Sequence, residues 1–190
     1  DIKTRWNSTY LMIESCKNYS HIITHFVNVH YPSLYLTSND WDMAFEFHEF
    51  LEVFYTATNK LFGVYYSTSC LVLMELLNMA FAFQHYKRKK SIFVDICMEI
   101  ENKFKKYWSD IPPIFYLSTI LDPRYNFDGV VEMVNKLNEL LEGPGGEPGI
   151  LTTKTEMETT LESLFLIYYK KYANKESTSF PTFNIVASSG

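Results

Sequence analysis

The sequence predicts a mainly α-helical fold. Three observations lead to it. Apolar residues recur at three- and four-residue spacing through most of the chain. Glycine and proline number only seven each, and several of them gather in one break, Glu142-Gly-Pro-Gly-Gly-Glu-Pro-Gly149. The 190 residues are 47% hydrophobic and 17% aromatic, enough apolar side chain for a sizeable core of Phe and Tyr and far too much for a disordered chain.

From about Ser8 to Val29, Met12, Cys16, Tyr19, Ile23 and Phe26 form one helical stripe, with Asn7 or Ser8 as its cap. A loop containing Tyr31-Pro32 follows and ends in Ser38-Asn39-Asp40, whose short polar side chains suit a helix start. The next helix is expected from Asp40 to Leu61, with Trp41, Phe45, Leu51, Phe54 and Leu61 inward and Gly63 as its stop. A second apolar helix should span Ser69 to Tyr86 with Leu73, Leu76, Leu77, Ala80 and Phe81 inward. It ends in Lys87-Arg88-Lys89-Lys90, cations placed at the negative end of the dipole.

Ile92, Ile96, Ile100, Phe104 and Trp108 repeat every four residues and predict another helix, which stops before Asp110 and Pro112-Pro113. Periodicity does not separate helix from strand over Ile114 to Leu121; helix is the reading adopted. Asp122-Pro123-Arg124 makes a turn, because proline fixes its own φ and pushes Asp122 out of the α region. Val130, Val134, Leu137 and Leu141 mark a further helix, and Met157, Leu161, Leu164, Tyr168 and Tyr172 a last one. The organisation expected is a body over residues 1–142, a Gly/Pro linker over 143–153, a helix over 154–177 and a loose polar tail over 178–190, with at most a short strand at the start.

Charge and cysteine usage narrow the function classes. A net charge of -5 excludes a wholly basic nucleic-acid surface, so any such binding must come from a local patch. Cys16, Cys70 and Cys97 are odd in number and form no CxxC pair, which fits a reducing compartment. The run from Cys70 to Phe83 is broken by Glu75 and Asn78 and reads as a buried helix, so no membrane partner is expected. The chain begins at Asp1 without a signal-peptide pattern and reads as part of a longer protein. GxSxG and GxxxxGK are absent, and His21 and His25, though at helical spacing, lack the Glu of a zincin; no metal, cofactor or small-molecule substrate is expected.

At the N-terminus, Thr4-Arg5-Trp6-Asn7-Ser8-Thr9-Tyr10 sets a cation beside an indole. Arg5 suits a phosphate, and Trp6 offers a sequence-tolerant stacking face for a base. The structural alternative is a core-anchoring Trp beside an ion-paired Arg. The basic runs Lys87, Arg88, Lys89, Lys90 and Lys103 to Lys106 suit phosphate, and the first also a nuclear-import signal; the alternative is a solvated helix end and a solvated face.

The strings Thr4–Tyr10, Lys103-Phe-Lys-Lys-Tyr-Trp108 and Leu121-Asp-Pro-Arg-Tyr125, in that order and spacing, resemble the hAT superfamily of DNA transposases, in particular plant BED-finger, sleeper-like members. Tyr65-Tyr-Ser-Thr-Ser69 stands where that group often has Tyr-Pro-Thr-Ser, without the proline. The resemblance implies the helical insertion domain of an RNase H-like core. It implies that two acids of the catalytic triad lie upstream of Asp1 and the third downstream, so this chain is not expected to cut DNA by itself. It implies that Trp6 stacks on a flipped base, with Arg5 as a phosphate contact or a support for the loop. It also implies that Asp122 and Arg124 are a turn lock, an ion pair holding the helical insertion to the core, and not catalytic groups. The expected partners are DNA and the flanking transposase domains or a second copy; the expected location is the nucleus. The rival reading is a helical protein-interaction module without DNA contact.

Overall fold

A computed structural model describes residues 6–63, 67–89, 93–108, 111–141 and 153–173. Among these residues eight α-helices follow one another with no strand: α1 (Trp6–Lys17), α2 (Ser20–His30), α3 (Ser38–Leu61), α4 (Val72–Arg88), α5 (Val94–Trp108), α6 (Pro113–Ile120), α7 (Phe127–Leu141) and α8 (Lys154–Tyr172). The mainly α fold read from the sequence is the fold observed. Two compact units are distinguished, Asp1–Thr153 and Lys154–Gly190. The expected N-terminal strand, almost all of the Gly/Pro linker and the C-terminal tail lie outside the described residues.

The single first helix expected from the apolar stripe is two helices. The chain breaks at Asn18 and Tyr19, where the Tyr19 N–H donates to the Cys16 carbonyl at 2.9 Å. Asn is among the weaker helix formers, so a run through it is readily interrupted. With the axis broken, the stripe loses its common face: Met12, Tyr19 and Phe26 are exposed, while Tyr10 and Ile13 are buried. The helix also starts at Trp6, so Asn7 and Ser8 belong to its first turn instead of capping it.

α3 starts at Ser38, two residues before the expected Asp40, on a capping box between Thr37 and Asp40. The Asp40 N–H donates to Thr37 Oγ1 at 3.3 Å, and the Thr37 N–H donates to Asp40 Oδ2 at 2.8 Å. These bonds from Thr37, its side chain first, hold the Asp40 carboxyl below its ordinary value. Of the face assigned to this helix only Leu51 is fully buried, joined by His48, Phe50 and Ala57.

α4 is the central element and packs against α3, α5, α6 and α7. Leu73, Leu76, Ala80 and Phe83 are essentially inaccessible, and the Phe83 ring meets Phe50, Phe54 and Phe104 at 5.3 to 6.1 Å. Phe81, expected inward, is exposed because one residue step turns about 100° away from Ala80. In α5 the every-four row cannot hold one face, since four residues overshoot a full turn by about 40° each time. Ile96 is therefore exposed and the buried positions are Cys97, Glu101 and Phe104.

Residues 113–120 are helical, as adopted, with Pro113 at the first helical position where its missing N–H costs nothing. Thr119 is fully buried, its hydroxyl 2.8 Å from the Phe115 carbonyl and 3.2 Å from that of Cys70. α7 buries Val130, Val134, Leu137 and Leu141 as expected, with Val131 and Leu140 beside them. Asn126 Oδ1 accepts from the Gly129 N–H at 2.7 Å at its start, and a Cβ on Gly129 would meet that oxygen at 2.8 Å. At its far end Gln84 Nε2 donates to the Leu140 carbonyl at 2.7 Å, satisfying a group the helix leaves open. In the second unit, Met157 of α8 is buried, whereas Phe165, Ile167 and Tyr169 are exposed.

Candidate nucleic-acid interface

Of Arg5, Trp6 and Lys87 to Lys90, four residues can be placed. Trp6 is the first residue of α1, and Lys87, Arg88 and Lys89 stand at the end of α4. Arg5 and Lys90 lie outside the described residues.

The end of α4 is less available than its sequence suggests. Lys87 Nζ lies 2.8 Å from Glu101 Oε2, and Glu101 is buried. Lys105 of α5 reaches the other oxygen of the same carboxylate at 3.2 Å. Lys89 Nζ is 3.3 Å from Glu46 Oε1 and sits over the Tyr86 ring at 5.5 Å. Arg88 is exposed and makes no ion pair among the described residues. Burial and the nearby Glu49 and Glu46 carboxylates push the Tyr86 phenol up to about 12.

The turn after α6 is held by a carboxylate and a guanidinium, as the resemblance implied. Arg124 Nη2 lies 2.6 Å from Asp122 Oδ2, and the Arg124 Nε and backbone N–H each reach Oδ1 at 3.0 Å. This bonding from Arg124 holds the Asp122 carboxyl far below the usual range and raises the guanidinium. Arg124 Nη2 also comes within 3.7 Å of Cys70 Sγ, which ties the turn to the segment that opens α4.

Sequence reasoning missed a ring stack between α1 and α3. Tyr10 lies between His48, at 4.6 Å, and Tyr55, at 4.4 Å between centroids. His48 Nε2 is 2.6 Å from Glu14 Oε2. Burial, reinforced by Glu52 and Glu14, raises the Tyr10 phenol. The seven-residue offset from His48 to Tyr55, two helical turns, was the available signal, but nothing local paired it with Tyr10.

Among the described residues of the first unit, clefts include the following three. One, of about 520 Å³ along α3 and α4, carries Glu49, Glu52 and Glu75 with Lys60 and His85. A second, of about 530 Å³, is lined by His21, His25, Trp41 and Asp42. Trp41 Nε1 there donates to Thr24 Oγ1 at 2.6 Å. Among the described residues no three His, Cys, Asp or Glu side chains are grouped to hold an ion, so His21, His25 and Asp42 do not converge. The third, of about 640 Å³ between α3, α4 and α5, is walled by Phe54, Met79, Phe104, Tyr107 and Trp108 with Lys103 at its edge.

Comparison with known proteins places these elements. The family described as hAT-like transposase, RNase-H fold, matches residues 47–168. The chain is 27% identical over 129 residues to the putative AC transposase of Zea mays, an overlap of 66% of this chain and 16% of that protein. It is 24% identical over 130 residues to the zinc finger BED domain-containing protein RICESLEEPER 1 of Oryza sativa subsp. japonica, covering 66% of this chain and 18% of the rice protein. RICESLEEPER 4 of the same species is 23% identical over 185 residues, 91% of this chain and 24% of its own length. The chain thus spans between about a sixth and a quarter of these relatives. No solved structure matches. With the match running from the middle of α3 into α8, the chain belongs to the hAT-like transposase family with the RNase-H fold.

Proposed function

We propose that this chain is a DNA-binding part of an hAT-like transposase, or of a domesticated descendant, that works in the nucleus and does not cut DNA by itself. The observation that carries the reading is the family match over residues 47–168, which takes in both α5 and the Asp122–Arg124 turn. Arg88 and Lys103 supply phosphate contacts, because both are exposed and neither is held in an ion pair among the described residues. Trp6, with Arg5 before it, is the stacking candidate at the start of α1, where an aromatic face offsets part of the cost of extruding a base.

That it does not cut DNA by itself rests on the resemblance, which puts the acids of the triad outside this chain, because two-metal strand cleavage needs carboxylates gathered around both ions. Partners are DNA and the remaining domains of a longer protein. No helix among the described residues is long and apolar enough to cross a membrane.

Titrating a labelled hairpin oligonucleotide at about 50 and about 200 mM salt tests the proposal. Weak binding that falls with salt, and falls again in Trp6→Ala, is the expected result; no binding at either salt rejects it. A second reading, a helical interaction module without DNA contact, is favoured by the exposed Phe165, Leu166, Ile167 and Tyr169 of α8. Cross-linking and gel filtration showing self-association together with absent DNA binding would select it.

A further inference from the structure

We propose that the cleft between α3, α4 and α5 receives an unpaired nucleotide of single-stranded DNA, its base against the α5 rings and its phosphate at Lys103. The inference rests on the DNA-binding reading above and assigns base stacking to rings of α5 in addition to Trp6.

The lining of the cleft argues for this occupant over the alternatives. Phe54 comes from α3, Met79 from α4, and Phe104, Tyr107 and Trp108 from α5. At about 640 Å³ the space falls in the range of sites that enclose small organic groups. Among the described residues of the wall, Lys103 is the single charged one and Thr58 the single aliphatic hydroxyl. The other two clefts are unsuited to a phosphate, since Glu49, Glu52 and Glu75 line one and Asp42 faces the other.

Lys103 is also a cation left available by its surroundings. Lys87, Lys89 and Lys105 are each bound to a carboxylate, whereas Lys103 is exposed and has no ion pair among the described residues. In a chain of net charge -5, such a cation beside ring faces is a local complement to a nucleotide.

The rings leave a face to stack on. Trp108 is half-buried, and its neighbours Phe104 and Phe115 are tilted against it by 39° and 53°. Neither ring lies flat on the indole. Tyr107, one residue before it, is 79% exposed, an open ring at the mouth of the cleft. Base stacking on such rings tolerates any sequence but requires a base free of its own helix, so single strands should be preferred to duplex.

The test titrates the full chain with a labelled oligothymidylate of about twelve nucleotides and with a blunt duplex of equal length. Tyr107→Ala and Lys103→Gln serve as variants; both positions are exposed, and unchanged melting temperatures confirm that each still folds. The single strand is expected to bind more tightly than the duplex. Tyr107→Ala should weaken it about tenfold. Lys103→Gln should flatten the salt dependence by about 0.7 in log-log slope. A 5-iodouracil oligonucleotide should cross-link to Tyr107 or Trp108.

If DNA binds but the variants are neutral and the cross-link falls on Trp6 or elsewhere, this site is wrong while the broader DNA-binding reading stands. A preference for duplex, or a dimer that excludes the oligonucleotide from the cleft, also overturns it. Absence of binding to either DNA removes both.

Discussion

Glu101 of α5 is nearly inaccessible, and its carboxylate is held 2.8 Å from Lys87 Nζ at the end of α4. Lys105 approaches the same carboxylate at 3.2 Å. Leaving one partner of such a group unmatched is costly, because a charge already out of water loses its counterion. Lys87→Met, which takes a counterion from the buried Glu101, should lower stability by about 3 kcal/mol, the low end of the range since Lys105 still reaches the same carboxylate. The urea midpoint measures it. Combining Lys87→Met with Glu101→Leu should recover a large part of the loss, as apolar replacements of a buried pair often do.

The same bonding separates neighbours in one basic run. Arg88→Gln should leave the melting temperature unchanged and reduce the log-log salt slope of duplex binding by about 0.9, the release of one phosphate contact. Lys87→Gln should instead lower the melting temperature, since it abandons Glu101. Melts and titrations of the two variants side by side check this; an Arg88→Gln protein with an unaltered slope removes Arg88 from the interface.

Acid should act through Asp122. Its carboxyl is held far below its ordinary value by the Arg124 side chain and backbone N–H, so the folded state keeps it ionised at pH values where the unfolded chain protonates it. The stabilisation is therefore complete above about pH 4, the unfolded value, and declines as pH falls from there toward the folded one. Melting temperatures followed from about pH 7 to about pH 3 should fall less steeply in Asp122→Asn than in the parent.

The three thiols should differ in reactivity. Cys97 is buried, and burial first, with the Glu101 carboxylate second, pushes its thiol up to about 11. Burial also raises Cys70, whereas Cys16 is half-exposed. With a disulfide reagent at about pH 8, Cys16 should react first and Cys97 only after unfolding in guanidinium. A Cys97 that reacts in the folded chain would show that α4 and α5 part locally.

The parts legible in the sequence are those where one straight helix meets one core. α7 is the clearest case, because Val130, Val134, Leu137 and Leu141 stay on a single face over its whole length. The Ser8–Val29 stripe misled because the axis breaks at Asn18 and Tyr19 without any proline or glycine to announce it. The drift of an every-four row concealed Cys97 and Glu101. The Asp122–Arg124 contact was readable because both partners lie in one turn. The partners of Lys87 and Lys89 were not, since Glu101 and Glu46 reach them only through tertiary packing. The aromatic cleft was half visible in Phe104 and Trp108, but α3 and α4 had to be brought beside them to make a space.

α8 has a consequence for handling the molecule. Phe165, Leu166, Ile167, Tyr168 and Tyr169 are consecutive and all more than half exposed, so together they cover the helix circumference and leave it no wet side at that level. Nothing in that stretch tells one rotational setting from another. Salts that strengthen apolar burial should make the chain adhere through this collar, giving strong retention on phenyl resin and solubility that drops as sulfate is added.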